Sequence, residues 1–417
     1  MRMYREAVRR FHRNVWLLLA STFCVFTAIG ISALAYNLYL VQIGFYEDYI
    51  GLFSFSTTLA IALAALPAGW LSQRLGSRRV LLLATVTLGL VSAALALTTH
   101  GPLLLALAVL SGAATAAYFV PSAPFLMDQT DEAERPMAFT ATFTTLSLAS
   151  VLGSLLAGQL PTWLASYGPL LALRLTLLVG AAWVLLGAVP LLLATDRAGH
   201  LPSGQPVSPD ESRRQERAAQ RVLAALVAST TLIALATGLV LPFFNVFLAR
   251  EVGADSGLIG YTFAAGSLAM VICSLAAPAV AGRLGTVSAI LWARLATVPL
   301  MVGLALWPNL MVAAAVYILR AGLISLTWPL DNSFVLEILP PRRRLTAASL
   351  RSTSWNLGWA LASLVAGQLI VHLGYRIVFL LSAGLLAGGA IVHFAVFRAF
   401  ERRAPAPATV AEPSGVE

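Results

Sequence analysis

The 417-residue chain contains no lysine; all 27 of its basic residues are arginine. Charge of either sign is scarce, at 11% of residues, where a soluble protein carries about a quarter. A chain this poor in charge cannot cover a globular surface in water. There are two cysteines, Cys24 and Cys273, each inside an apolar stretch, so no disulfide framework is expected. The five histidines form no cluster, and no metal site, phosphate-binding loop or catalytic triad is visible. Enzymatic chemistry and ATP-driven pumping are therefore not expected, and no cofactor is called for. No polar stretch is long enough to fold as a soluble domain, which disfavours a membrane receptor. The basic start "MRMYREAVRRFHRN" leads into an apolar run of about 25 residues with no clear cleavage site, too long for a signal-peptide core.

Apolar length is what the chain has in abundance. Hydrophobic residues make up 59% of it and the mean hydropathy is +0.83, so its solvent is lipid. A spanning helix needs about 20 mostly apolar residues. Six such runs occupy 15–40, 49–71, 80–98, 102–127, 137–160 and 169–194. Six more occupy 221–248, 258–281, 286–306, 309–338, 345–370 and 376–397. The expected fold is an all-α membrane protein of 12 transmembrane helices. It divides into a bundle over 1–194, a polar Pro/Ser/Gly-rich linker over 195–220, a second bundle over 221–398 and a disordered tail over 399–417.

The two bundles are related in sequence. "SLLAGQL" at 154–160 returns as "SLVAGQL" at 363–369, 209 positions later. The same offset carries Ile50-Gly51 onto Ile259-Gly260, Arg74-Leu75-Gly76 onto Arg283-Leu284-Gly285, Asp128 onto Glu337 and Arg135 onto Arg344. With a slip of one, "YNLYL" at 36–40 falls on "FNVFL" at 244–248. A register held this long marks an internal duplication. Two six-helix halves in parallel orientation relate by an axis along the membrane normal, and a pathway between them can open to either side in turn.

Arginine placement orients the chain. Twenty-one arginines fall on the side of the two termini, against Arg174, Arg250 and Arg376 on the other. That bias predicts both termini in the cytoplasm of an inner (cytoplasmic) membrane protein. It also explains the net charge of +9 without nucleic acid, because the charge is spread over many short loops.

The segment "GWLSQRLGSRR" after the second run resembles the G-x-L-x-D-R-x-G-R-R loop of the major facilitator superfamily, through Gly69, Leu71, Arg74, Gly76, Arg78 and Arg79. Asp128 with Arg135, echoed by Glu337 with Arg344, resembles the superfamily's acidic-to-Arg pattern at the inner helix ends. The resemblance spans essentially the whole chain and implies alternating-access transport, with Gly69, Gln73, Arg74, Gly76, Arg78, Asp128, Arg135, Glu337 and Arg344 in a cytoplasmic latch. Gln73 stands where the loop has Asp, which removes a charge from that latch. Helix 4 lacks the Arg of proton-coupled members, and Ser154 stands where the helix 5 antiporter pattern around Gly153 and Gly158 has Pro. Both departures weaken a drug/proton antiporter assignment.

Ionisable residues within the spans are costly and are the first functional candidates. Asp331 and Arg351 are each placed about 9–10 Å inside the inner edge, on neighbouring helices, and are expected to pair, as a structural tie or a gate. Arg294 reads as a peripheral, structural or snorkelling cation. Arg320 falls about 16 Å from the outer surface, near mid-membrane. Its repeat partner is Ser111, and no carboxylate lies at matching depth. It is expected to line the cavity, where a substrate anion or internal groups satisfy it. Asn356 lies at similar depth beside Trp355 and Trp359, which share a helix face and either floor a pocket or pack against lipid. Asn37 and Asn245, near Pro242, are placed at an outer gate.

The residues point to a secondary transporter of a small or amphiphilic organic solute, anionic if Arg320 meets it. The chain is expected to export and to act as a monomer. Its partners are the solute, the lipid bilayer and, for active transport, a coupling proton or ion. Two alternatives remain open: a proton-coupled multidrug efflux antiporter, with Asp331 as the only eligible carboxylate, and a lipid flippase or scramblase. Topology is directly testable. Cysteines replacing Ser77, Gln205 and Val410 should be shielded from an impermeant thiol reagent in intact cells, while one replacing Asp255 should react; labelling at 205 from outside would refute the arrangement.

Overall fold

The computed structural model describes residues 11–131, 134–195, 213–338 and 341–401. Every regular element in it is a helix. Twelve helices are long and apolar enough to cross a membrane. The first six are α1 (Arg13–Gln42), α2 (Glu47–Leu75), α3 (Ser77–Leu97), α4 (Gly101–Asp128), α5 (Arg135–Trp163) and α6 (Pro169–Leu193). The second six are α7 (Arg213–Val240), α8 (Ser256–Leu284), α9 (Thr286–Leu306), α10 (Leu310–Ile338), α11 (Pro341–Leu373) and α12 (Tyr375–Glu401). Helices are what lipid permits, because they satisfy their backbone polar groups internally. Pro242 has no N–H to give, and α7 accordingly tightens into a 3-10 turn at Leu241–Phe243 before a short helix, Phe244–Arg250, completes the span.

The duplication is visible in the backbone. Gly76 closes α2 and opens α3 with φ +87°, and Gly285, 209 positions on, does the same between α8 and α9 with φ +82°. Gly44 and Gly253 form a second such pair, both with positive φ. Only glycine takes this conformation without a Cβ penalty, so the repeat preserves turns as well as spans. Packing repeats too. In each half the first helix packs on the fifth and sixth, the third on the fourth and sixth, and the second on the fourth. The halves meet mainly along α2–α11 and α5–α8. An even number of crossings leaves both ends of the chain on one face, the terminal face; the opposite one is the far face.

The second half is tied internally by a buried polar group. Arg294 of α9 donates to Asp331 Oδ2 on α10 and to Ser229 Oγ on α7 (3.3 Å), while Ser229 donates to the Gly389 carbonyl of α12 (3.3 Å). His393 of α12 places Nδ1 3.9 Å from Asp331 Oδ1. This corrects the expected Asp331–Arg351 pair. Helix α10 packs on α8 and α9 and only brushes α11, so the nearest cation comes from α9. Arg351 reaches Arg294 electrostatically but makes no ion pair with Asp331 among the described residues. Arg294, read as peripheral, is 4% exposed and sits inside the bundle. Removing one member of a buried pair strands the other, typically at about 3–5 kcal/mol. Arg294→Gln and Asp331→Asn should each lower the melting temperature more than the double substitution does, whereas strictly additive losses would show that the two side chains act independently.

Candidate functional site

The seam between the halves is closed at the far face by backbone contact. Gly158 of α5 meets Gly260 of α8 so closely that a Cβ on Gly158 would lie 2.6 Å from the Gly260 Cα. On the other side of the pseudo-axis, a Cβ on Gly51 of α2 would lie 2.5 Å from the Ser363 carbonyl oxygen of α11, and Gly367 presses on the backbone of Glu47. The repeated heptapeptides "SLLAGQL" and "SLVAGQL" each contribute their glycine here, against the Gly of the repeated Ile-Gly pair in the other half.

Polar side chains complete the closure. Glu47, at the start of α2, is 5% exposed. Nη1 of Arg250, past the end of α7, donates to both its carboxylate oxygens (3.1 and 3.2 Å), and the Tyr375 hydroxyl of α12 donates to Oε1 (3.0 Å). The carboxylate also lies in the first turn of α2, where the helix dipole favours it. Asn37 and Asn245 come together across the seam: the Asn37 amide donates to the Pro242 carbonyl (2.5 Å) and to Asn245 Oδ1 (3.4 Å), and the Asn245 amide to the Leu34 carbonyl (2.7 Å). The Glu47–Arg250–Tyr375 group escaped sequence reading because its residues lie in two outer turns and a helix start, and the 209-residue offset relates none of them to another.

Beneath this seal lies a cavity of about 570 Å³ lined by both halves. Its aromatic wall is Tyr36, Phe53, Phe119, Phe263, Tyr317 and Trp359. The first half adds hydroxyls, among them Ser54, Thr57, Ser92, Ser111, Thr115 and Ser150. Thr57, Thr115 and Ser150 donate to the carbonyls four residues earlier, leaving only lone pairs for a ligand. Among the described residues, no Asp, Glu, Arg or His lines this cavity.

Among the expected binding residues, Ser111 does line the cavity. Arg320 does not: it is enclosed one turn beyond Tyr317 and 3% exposed. Its side chain follows the interior stripe of Ala313 and Val316 rather than the cavity face of α10. Trp355 and Asn356 also lie off the cavity. Trp355 packs on Trp328 (5.7 Å) and Trp359 (6.0 Å), and the Asn356 amide donates to the Ser352 carbonyl on its own helix (2.8 Å). Trp359, one turn further, is the one that reaches the cavity.

At the terminal face, Arg74 lies over the ring of Trp70 (3.9 Å) rather than against Asp128, because an aromatic one turn back on its own helix is within reach. Arg78 donates to the Leu191 and Leu192 carbonyls at the end of α6 (2.9 and 2.8 Å), groups that have no partner within the helix. Arg135 acts electrostatically on Asp128. Gln73 is exposed, Gly69 approaches Val120, and Gly76 makes its turn. The side chains of Glu337 and Arg344, and the linker and tail, lie outside the described residues.

The sequence profile of the Major Facilitator Superfamily matches residues 18–228 and 226–415, the two halves in turn. The chain belongs to the major facilitator superfamily. No curated protein matches it by sequence. Several solved superfamily structures are similar in fold. One is a bacterial homolog of the human lysosomal transporter Spinster, inward-facing and occupied, with a TM-score of 0.74 at 16% identity over 97% of this chain and 99% of that one. Another is the nucleoside transporter NupG, with a TM-score of 0.71 at 15% identity over 92% and 98%. A third is a D-xylose–proton symporter, with 0.69 at 14% over 94% and 97%. As a superfamily member the chain is a transporter of small molecules across a membrane and not an enzyme.

The Glu47 group should set the balance between conformations. A hydrogen bond to a charged group contributes about 1.5–3 kcal/mol, so Glu47→Gln should shift the ratio of far-closed to far-open molecules about tenfold. Spin labels at the far ends of α1 and α7 would report it as a longer-distance population. An unchanged distance distribution would leave closure to the glycine contacts alone.

Proposed function

We propose that this protein is a secondary active transporter that exports a small amphiphilic organic solute by rocking of its two halves, in the cytoplasmic membrane with both termini inside. The observation that carries the reading is one cavity shared by both halves and sealed at a single face. The described close contacts between halves, at Gly158–Gly260, Gly51–Ser363, Glu47–Arg250 and Asn37–Asn245, all belong to the far face. An aromatic wall facing a hydroxyl wall suits a solute with an apolar body and polar edges. Export rests on the loop resemblance at 69–79, and the cytoplasmic side on the arginine bias. A proton-coupled antiporter would need a titratable carboxylate in the cavity. Among the described residues none lines it, and Asp331 is held by Arg294.

Rocking should be stopped by stapling the seam. In a chain with Cys24 and Cys273 replaced by Ala, Asn37→Cys with Asn245→Cys should form a disulfide that abolishes energised uptake of aromatic amphiphiles into everted vesicles, and reductant should restore it. Uptake that continues through the cross-linked protein, or that occurs only in right-side-out vesicles, would refute the mechanism or the direction respectively.

A further inference from the structure

Helix α10 carries two charges on one interior stripe. Arg320 and Asp331 are eleven residues apart, three helical turns, so their Cα atoms are separated by about 16 Å along the axis. Asp331 shows how this protein settles a buried charge, with a guanidinium from α9 and a histidine from α12 arranged around it. Arg320 receives nothing comparable. It is 3% exposed, its Nε and Nη2 have no hydrogen-bond partner, and it enters no ion pair among the described residues. The phenol of Tyr317 acts on it electrostatically. A guanidinium stays protonated at any physiological pH and needs acceptors in fixed directions. Leaving one dry and unmatched inside a membrane protein is among the costliest arrangements available.

The residue beside it explains how a ligand would meet it. Tyr317, one turn away on α10, lines the central cavity. Its ring stacks on Phe263 (centroids 4.4 Å apart), also in the cavity wall, and packs on Phe244 (5.0 Å). The ring lies in a slot that exists because Gly266 of α8 has no side chain: a Cβ there would lie 2.5 Å from Tyr317 Cε1. To reach the cavity the guanidinium needs a rotamer change, of Tyr317 or of Arg320 itself. Among the described residues the cavity wall holds no cation.

We propose that Arg320, with Tyr317, is an anion-binding subsite appended to the central cavity, and that the transported solute is an amphiphile bearing a carboxylate or phosphate-type headgroup. The headgroup accepts from the guanidinium fork, and the apolar body lies along Phe263, Trp359 and the hydroxyl wall of the first half. This deepens the transporter reading and rests on it. The two walls of the cavity select shape, and Arg320 selects charge.

The test uses the purified full-length protein and four probes with a common aromatic body: 4-phenylbutyrate, 4-phenylbutylphosphonate, the neutral 4-phenylbutyramide and the cationic 4-phenylbutylamine. Binding is followed by calorimetry or tryptophan fluorescence. At least one anion should bind about tenfold or more tightly than the amide, the scale of a charge-assisted hydrogen bond. The amine should bind weakest, and the choice between the two anions assigns the headgroup. Arg320→Gln should bring the anion down to the amide's affinity and leave the amide unchanged; Arg320→Lys should keep part of the preference, lacking the planar fork. Should Arg320→Gln fail to fold, the comparison of anion with amide in the unmodified protein still decides. Equal binding of anion and amide, or an anion preference that survives Arg320→Gln, overturns the subsite and leaves the transporter reading standing. If none of the four binds, the subsite falls, and if none is moved by proteoliposomes either, the amphiphile as cargo falls with it.

Discussion

Everything in this conformation depends on how closely four helices approach at one face. Gly158 against Gly260, and Gly51 against the Ser363–Gly367 turn of α11, bring backbones to a separation that any side chain would prevent. Small residues at helix crossings are how helices pack in lipid, where apolar side chains gain nothing by leaving one apolar surroundings for another. Such crossings hold each half together, as where Gly153 meets Thr27 and Gly112 meets Thr57, and at the far face they also join one half to the other. The interface there is backbone on backbone. It leaves the rest of α2, α5, α8 and α11 free to diverge and enclose a cavity. That the duplicated phrases supply these glycines is a consequence of symmetry: each half brings one Ile-Gly and one Ala-Gly-Gln, and each pairs with the other's counterpart.

Charge is then used in three distinct ways. At the far face, Glu47 is buried at the boundary and answered by Arg250 and Tyr375 from the other half, so its bonds exist only while the seam is shut. Within the second half, Arg294 and Asp331 link α9 to α10, and Ser229 and His393 tie them to α7 and α12; these helices move together, and the group keeps the half rigid. Among the described residues the cavity wall carries no charged side chain. A carrier must release its cargo, and a wall of rings and half-committed hydroxyls holds a solute without trapping it. The one strong charge near that wall, Arg320, is set back behind Tyr317.

Much of the fold was legible because lipid imposes length and polarity on every span, and because duplication doubles the signal. The twelve runs, the pseudo-symmetry and the glycine turns at Gly76 and Gly285 follow from apolar length and a fixed offset. The Asn37–Asn245 contact was legible for the same reason, since the repeat places both at one depth on either side of the axis. Depth along a helix can be counted from sequence, but azimuth cannot. Arg320 could be counted to mid-span, but that its side chain is set off the described cavity lining was not legible. Asp331 was assigned to Arg351 because α10 and α11 are consecutive, whereas in this packing they hardly touch and α9 supplies the partner. Trp355 and Trp359 were read as one face, whereas of the two only Trp359 is in the described cavity lining. The Glu47 group had no sequence signal, as its members come from three elements that only the closed seam assembles.

The most direct measurement of reciprocal access uses Ser111, a cavity residue on α4. A Ser111→Cys protein with Cys24 and Cys273 replaced by Ala is exposed to a membrane-impermeant maleimide from one face at a time. Reaction should be fast in everted vesicles and slow in right-side-out vesicles. Adding Glu47→Gln should raise the rate from the far face and lower it from the terminal face together. Equal rates from both faces would describe an open pore, and a Glu47→Gln substitution that raised one rate without lowering the other would contradict alternating access about this seam.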